Sequence, residues 1–184
     1  MTAPVVSWRT RDNSQQLLKW ELGVVDAGTT SRDFGFLIWN NYRDGTGNGE
    51  TDVANMEDCT ITVKDEFGGD TGDLVTGQWI EVRVDNSTGD GNFHKIGFDV
   101  VSGLPVTHPI QTNGSTVYNG VVSTPNVPPH TSANGTVSIL GVANDGTKEN
   151  SAGNYVEITL RANVPSNASS GLIKFLTRVS YKYV

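Results

Sequence analysis

Apolar and polar residues alternate with a period of two in several runs of this chain. Each run is bounded by Gly, Asn, Asp or Pro, the signature of half-buried strands. Val156, Ile158, Leu160 and Ala162 alternate with Glu157, Thr159 and Arg161. Near the end, Ile173, Phe175, Val179, Tyr181 and Tyr183 lie opposite Lys174, Arg178, Ser180 and Lys182. Cys59, Ile61 and Val63 alternate with Thr60, Thr62 and Lys64, and Ile80, Val82 and Val84 with Glu81, Arg83 and Asp85. One apolar and one wet face is what antiparallel sheets present. The run 34–39 differs, because Phe34, Phe36 and Ile38 on one side and Leu37 and Trp39 on the other make both faces apolar, which predicts a central strand. Further strands are expected over residues 5–9, 20–25, 93–98 and 137–142, about nine in all at the spacing of sandwiches.

No helical period survives without a Gly or Pro interruption, and the segment 14–22 has room for one turn at most. Two segments look irregular. Residues 42–55 are glycine-rich and acidic, and residues 104–134 hold Pro105, Pro109, Pro125, Pro128 and Pro129. The second is long for a connection inside a compact domain. It reads either as an extended arm that docks on a neighbour at reduced entropic cost, or as a solvated loop whose 116–122 part forms a hairpin strand. The expected architecture is one all-β domain over 1–184, an antiparallel β-sandwich of immunoglobulin-like type with a jelly roll as the alternative, and 104–134 as its Pro-rich insertion.

Composition narrows the function classes. A net charge of -7 with no basic run argues against nucleic acid or an anionic membrane as partner. Cys59 is the only cysteine, so the core is expected to hold without a disulfide. The first six residues carry no positive region followed by an apolar one, so no secretory signal is expected, and no apolar run approaches membrane-spanning length. Asn-X-Ser/Thr triplets at Asn86, Asn113, Asn134 and Asn167 serve as loop markers.

Candidate chemistry is thin. His94, His108 and His130 are far apart, two of them beside prolines, and are expected at the surface. No nucleophile elbow, zincin, paired-cysteine or phosphate-loop motif occurs, so an enzyme is not expected and no catalytic, cofactor or metal residue is assigned. Two groups of carboxylates stand out: Asp65, Glu66, Asp70 and Asp73, and Asp44, Glu50 and Asp52. The run from Asp44 to Asp52 places oxygen-bearing side chains at calcium-loop positions 1, 3, 5 and 9 with Gly49 at 6, but position 12 is Asn55 and no helices flank it. A turn-rich loop is the competing reading. Paired carboxylates for glycoside hydrolysis are the weakest option. Trp8, Trp20, Trp39 and Trp79 would make a sugar-stacking platform if they faced solvent together; Trp39 reads as core, and Trp79 is the one to examine for exposure.

The stretch Trp20-Glu21-Leu22-Gly23-Val24-Val25-Asp26-Ala27-Gly28-Thr29-Thr30-Ser31, followed by the apolar strand ending in Asn40-Asn41, resembles the opening of immunoglobulin-like domains in bacterial and phage surface proteins. Gly28 permits the turn, and the Asn pair can close the strand through side-chain hydrogen bonds. The stretch Val164-Pro165-Ser166-Asn167-Ala168-Ser169-Ser170-Gly171 resembles the loop between the two late strands of such sandwiches. With Cys59-Thr60-Ile61-Thr62-Val63-Lys64-Asp65 and the Gly68-Gly69 turn, about two thirds of the chain is similar to virion proteins of tailed phages that infect Gram-positive bacteria, capsid decoration proteins above all. The resemblance implies a non-enzymatic virion protein, made in the host cytoplasm, whose partner is the multi-copy surface of a phage capsid. A homo-oligomer, a host-surface glycan, and a place in the tail, baseplate or fibre are its alternatives.

Overall fold

The computed structural model describes residues 1–86 and 88–184; Ser87, the middle of the Asn86 triplet, lies outside the described residues. The strands are β1 (Val6–Thr10), β2 (Phe34–Asn40), β3 (Met56–Asp65), β4 (Ile80–Val84), β5 (His94–Asp99), β6 (Leu104–Val106), β7 (His108–Pro109), β8 (Thr116–Tyr118), β9 (Val121–Ser123), β10 (Val137–Ile139), β11 (Tyr155–Ala162) and β12 (Phe175–Lys182). A single short helix, α1 (Asp73–Thr76), occurs among the described residues, and it is neither long nor apolar enough to cross a membrane.

The chain is an all-β sandwich. One sheet runs β1-β2-β11-β4-β5-β6, the other β10-β3-β12 with β7 also on β3, and β8-β9 form a separate hairpin. Every pairing is antiparallel. The last two strands divide between the sheets, β11 to the larger and β12 to the smaller, whereas an immunoglobulin-type sandwich keeps both in one sheet. Of the two sandwich types expected, the strand order favours the jelly roll.

The run 34–39 is the buried strand its two apolar faces predict. Phe36, Leu37, Ile38 and Trp39 are fully buried between β1 and β11. Phe36 and Ile38 join Ile61, Val63, Ile80, Val82, Val156, Ile158 and Leu160 in a core shared by both sheets. Trp39 faces the other way and is boxed by Tyr42 and Tyr155, with ring centroids 5.0 and 4.8 Å away.

Three expectations need correction. Residues 20–25 are not a strand, because Gly23 turns at φ 75° and the segment is held by side-chain anchors instead. Trp20 stacks on Phe34 at 5.5 Å, meets Phe175 edge-on at 5.1 Å, and donates its indole N–H to Thr177 Oγ1 at 3.1 Å. Residues 137–142 pair only as far as Ile139, because Leu140 N turns to Gly153 O and Gly141 O accepts from Val53 N. Gly141 fits because a Cβ there would lie 2.3 Å from Val53 O.

The third correction is the largest. The segment 104–134 is folded against its own domain and is no free arm. β6 completes the larger sheet on β5, and two residues later β7 pairs with β3 in the smaller one, so the chain turns the corner between sheets. Thr62 Oγ1 ties this corner by donating to Val106 O at 2.8 Å and Gly97 O at 3.3 Å. Ile110 is buried, and its N–H donates to Cys59 O. Asn126 pairs with both main-chain groups of Val137, at 2.9 and 3.1 Å. Pro105 and Pro109 sit in edge strands, the place where a sheet tolerates proline. The 116–122 part does form a hairpin, turning through Asn119 and Gly120, both at positive φ.

Cys59 on β3 is 1% exposed, and burial pushes its thiol up to about 12. It should therefore resist alkylation at pH 8 in the folded chain and react fully once urea unfolds it; rapid labelling without denaturant would contradict the placement of β3 in the core.

Candidate functional site

The carboxylates singled out in the sequence do not converge. Asp44 folds its own loop: its Oδ1 accepts from Thr46 N and Oγ1 at 2.8 and 2.6 Å, and its Oδ2 from Asn48 Nδ2 at 2.8 Å. Those bonds, Thr46 Oγ1 foremost, hold its carboxyl down at about 2. Glu50 faces Arg43, while Asp52 accepts from Ala143 N at 2.8 Å. The run from Asp44 to Asp52 is thus a braced turn, and no metal-competent group of carboxylates, imidazoles and thiols forms among the described residues.

The second group is likewise spent on structure. Asp65 accepts from Phe67 N, Gly69 N, Thr71 N and Thr71 Oγ1, closing the turn after β3; Thr71 Oγ1 contributes most to holding its carboxyl at about 2. Asp70 pairs with Lys64, and Asp73 opens α1. The outer face of the larger sheet carries a charge lattice built the same way. Asp85 accepts from Arg83 Nε at 2.6 Å, Arg11 at 3.2 Å and the Thr159 hydroxyl; Glu157 holds Arg11 at 2.7 Å and Lys148 at 3.1 Å; Arg161 meets Glu81 at 2.7 Å.

The histidines are not isolated loop residues. The corner at β6 and β7 stacks His108 on His94 of β5, with ring centroids 4.3 Å apart and planes 14° from parallel. Asp90 Oδ2 lies 2.8 Å from His94 Nε2. Burial, with His94 beside it, holds His108 below the usual imidazole range. His94 thus has an orienting carboxylate, but that contact occupies Nε2 and His108 covers a face of its ring. His130 is half-buried in a turn closed by its own main chain.

The tryptophans do not make a common platform. Trp79 is 7% exposed, held through Trp79 N to Leu74 O and through Asn163 N to Trp79 O, and Trp39 is fully buried. Trp8 lies against Phe36 at 5.3 Å and Trp20 against Phe34.

A cluster of buried asparagines organises one end of the sandwich. Asn154 donates to Asn40 O, Leu140 O and Val142 O at 3.1, 3.1 and 2.9 Å, and its Oδ1 accepts from Thr116 Oγ1 at 2.6 Å. Asn41 donates to Thr51 O, Gly141 O and Val142 O and accepts from Gly49 N. Asn144 donates to Asn41 O and Val142 O, and Asn40 links Val5 N to Ala54 O. All four are at most 1% exposed. They satisfy the main chain of loops that have no ladder of their own.

The opposite arrangement marks the side of the sandwich away from the corner. There β12 has β3 on one flank only, and β1 is partly covered by Thr10 N to Gln15 O and Leu17 N to Trp8 O. Between the two edges lies an open groove of about 420 Å³, lined by Val6, Trp8, Leu176, Arg178, Val179 and Tyr181 among others. Exposed apolar side chains continue from it, with Leu172 at 87%, Ile173 at 42% and Leu176 at 47%. Alternation in the last strand showed its two faces, but nothing local showed that one flank would stay bare. This edge and groove are the candidate binding site. No protein-family model matches the chain, and no curated protein matches it.

Two measurements check this account. Asn154→Ala should lower stability by about 2–4 kcal/mol in urea unfolding with an unchanged slope, while exposed Asn167→Ala should stay within about 0.5 kcal/mol; equal effects would remove the special role of the cluster. Asp44 and Asp65 titrate at about 2 when folded against 3.8 unconstrained. Their contribution is present above about pH 4 and lost as pH falls toward about 2, because the unfolded chain takes up the protons first. The urea midpoint should fall through that window, less steeply in Asp65→Asn; an unchanged profile in the variant would contradict the assignment.

Proposed function

We propose that this chain is a non-enzymatic structural protein of a bacteriophage particle, binding the outer capsid surface in many copies as a decoration protein. The observation that carries the reading is the bare β12 edge beside an apolar groove, on a molecule whose prominent carboxylates are engaged in turns and ion pairs of their own. An unpaired strand edge and contiguous exposed apolar side chains are features of a surface made to meet another protein. The resemblance of the strand pattern to phage virion proteins supplies the identity of the partner. Repetition supplies strength: contacts that are weak singly sum when many copies sit on a symmetric lattice.

Purified protein should co-sediment saturably with heads that lack it and fail to co-sediment with isolated tails. Binding to tails alone would move the chain to tail, baseplate or fibre, and binding to neither would overturn the proposal.

A further inference from the structure

We infer that the bare edge of β12 accepts an extended strand from a partner protein, a segment in which apolar and acidic residues alternate. This rests on the structural-binding reading above and names the chemistry of its contact. Along β12 the side chains point two ways. Phe175, Thr177, Val179 and Tyr181 are half-buried, and the last three line the groove beside Val6 and Trp8; Leu176, Arg178, Ser180 and Lys182 are exposed on the other face, with Lys174 just ahead of them in the same phase. A strand laid about 4.8 Å from β12 would complete the ladder and direct every second side chain into that groove. Its remaining side chains would stand beside Lys174, Leu176 and Arg178.

Charge decides what those remaining side chains are. Lys182 is engaged by Asp58 at 2.9 Å, and Lys64 by Asp70, so the cations left facing solvent on this strand and its approach are Lys174 and Arg178. Opposite charges across adjacent strands stabilise a pair and like charges oppose it. A second copy of β12 running antiparallel would bring Arg178 and Lys174 against the same cations of its twin, so self-pairing is disfavoured and an acidic strand fits. The irregularity between Ser180 and Lys182 ends the regular ladder, which confines the contact to 175–180.

Two short capped peptides test this with the whole chain, one alternating valine and glutamate, the other valine and lysine. The glutamate peptide should bind at least about tenfold more tightly, shifting the backbone amide signals of 175–180 and the indole signal of Trp8. Arg178→Glu, an exposed change whose folding is checked by its urea midpoint, should reverse the preference. Equal binding, binding of neither peptide, shifts centred elsewhere, or a preference unmoved by Arg178→Glu would each overturn the inference and leave the cations as mere protection of the edge. Neither peptide depends on a phage particle. Failure here with heads still bound would therefore leave the proposed function standing, and the reverse result would remove only that function.

Discussion

The structure depends on satisfying main-chain hydrogen bonds where strands give way to loops. A sheet supplies its own partners, but residues 41–55 and 140–154 run through the interior at the end of β2 with few ladders to join. The carboxamides of Asn40, Asn41, Asn144 and Asn154 take over that task, each bridging carbonyl and amide groups of different loops. A carboxamide suits the position because it donates twice and accepts at one atom without a charge to desolvate. Once these loops are fixed, the outer face of β2 is closed over Trp39, and β8 is tied down through Thr116 to Asn154.

The sandwich is consequently asymmetric. On one side the chain passes from β6 to β7 and joins the sheets, with Thr62 as its tie and the His94–His108 stack beside it. On the other side the sheets part between β1 and β12, and one indole, Trp20, plugs one end of the gap. The proposed function uses the open side, because that is where main-chain groups, apolar surface and two solvent-facing cations coincide. The closed side and the asparagine-held loops hold the open edge in place.

How much of this was legible in the sequence follows from what period-2 alternation reports. It reports wetting of one face, so Val156, Ile158 and Leu160 against Glu157, Thr159 and Arg161 predicted β11, and the doubly apolar 34–39 predicted the buried β2. It is silent about pairing. Residues 20–25 alternate as a strand does, yet they are anchored by Trp20 and Leu22 alone, and Val24 is 97% exposed. The prolines of 104–134 masked four short strands because edge strands are where proline is allowed, and about nine strands became twelve. Asn40 and Asn41 were readable as closing β2, but their partners Asn144 and Asn154 look like any loop asparagine until the fold brings them together. The stacking of His94 on His108 requires the corner between the sheets, which no local pattern carries.

The central claim is that one side of this sandwich is locked by buried amides and the corner crossing while the β12 edge is left open. Amide hydrogen exchange of the native chain measures both at once. The account predicts that Leu140, Asn144 and Asn154 exchange only through global unfolding, with the slowest amides of β2 and β11, while the β12 amides directed away from β3 exchange orders of magnitude faster. Uniform protection along β12, or fast exchange at Leu140, Asn144 and Asn154, would contradict it.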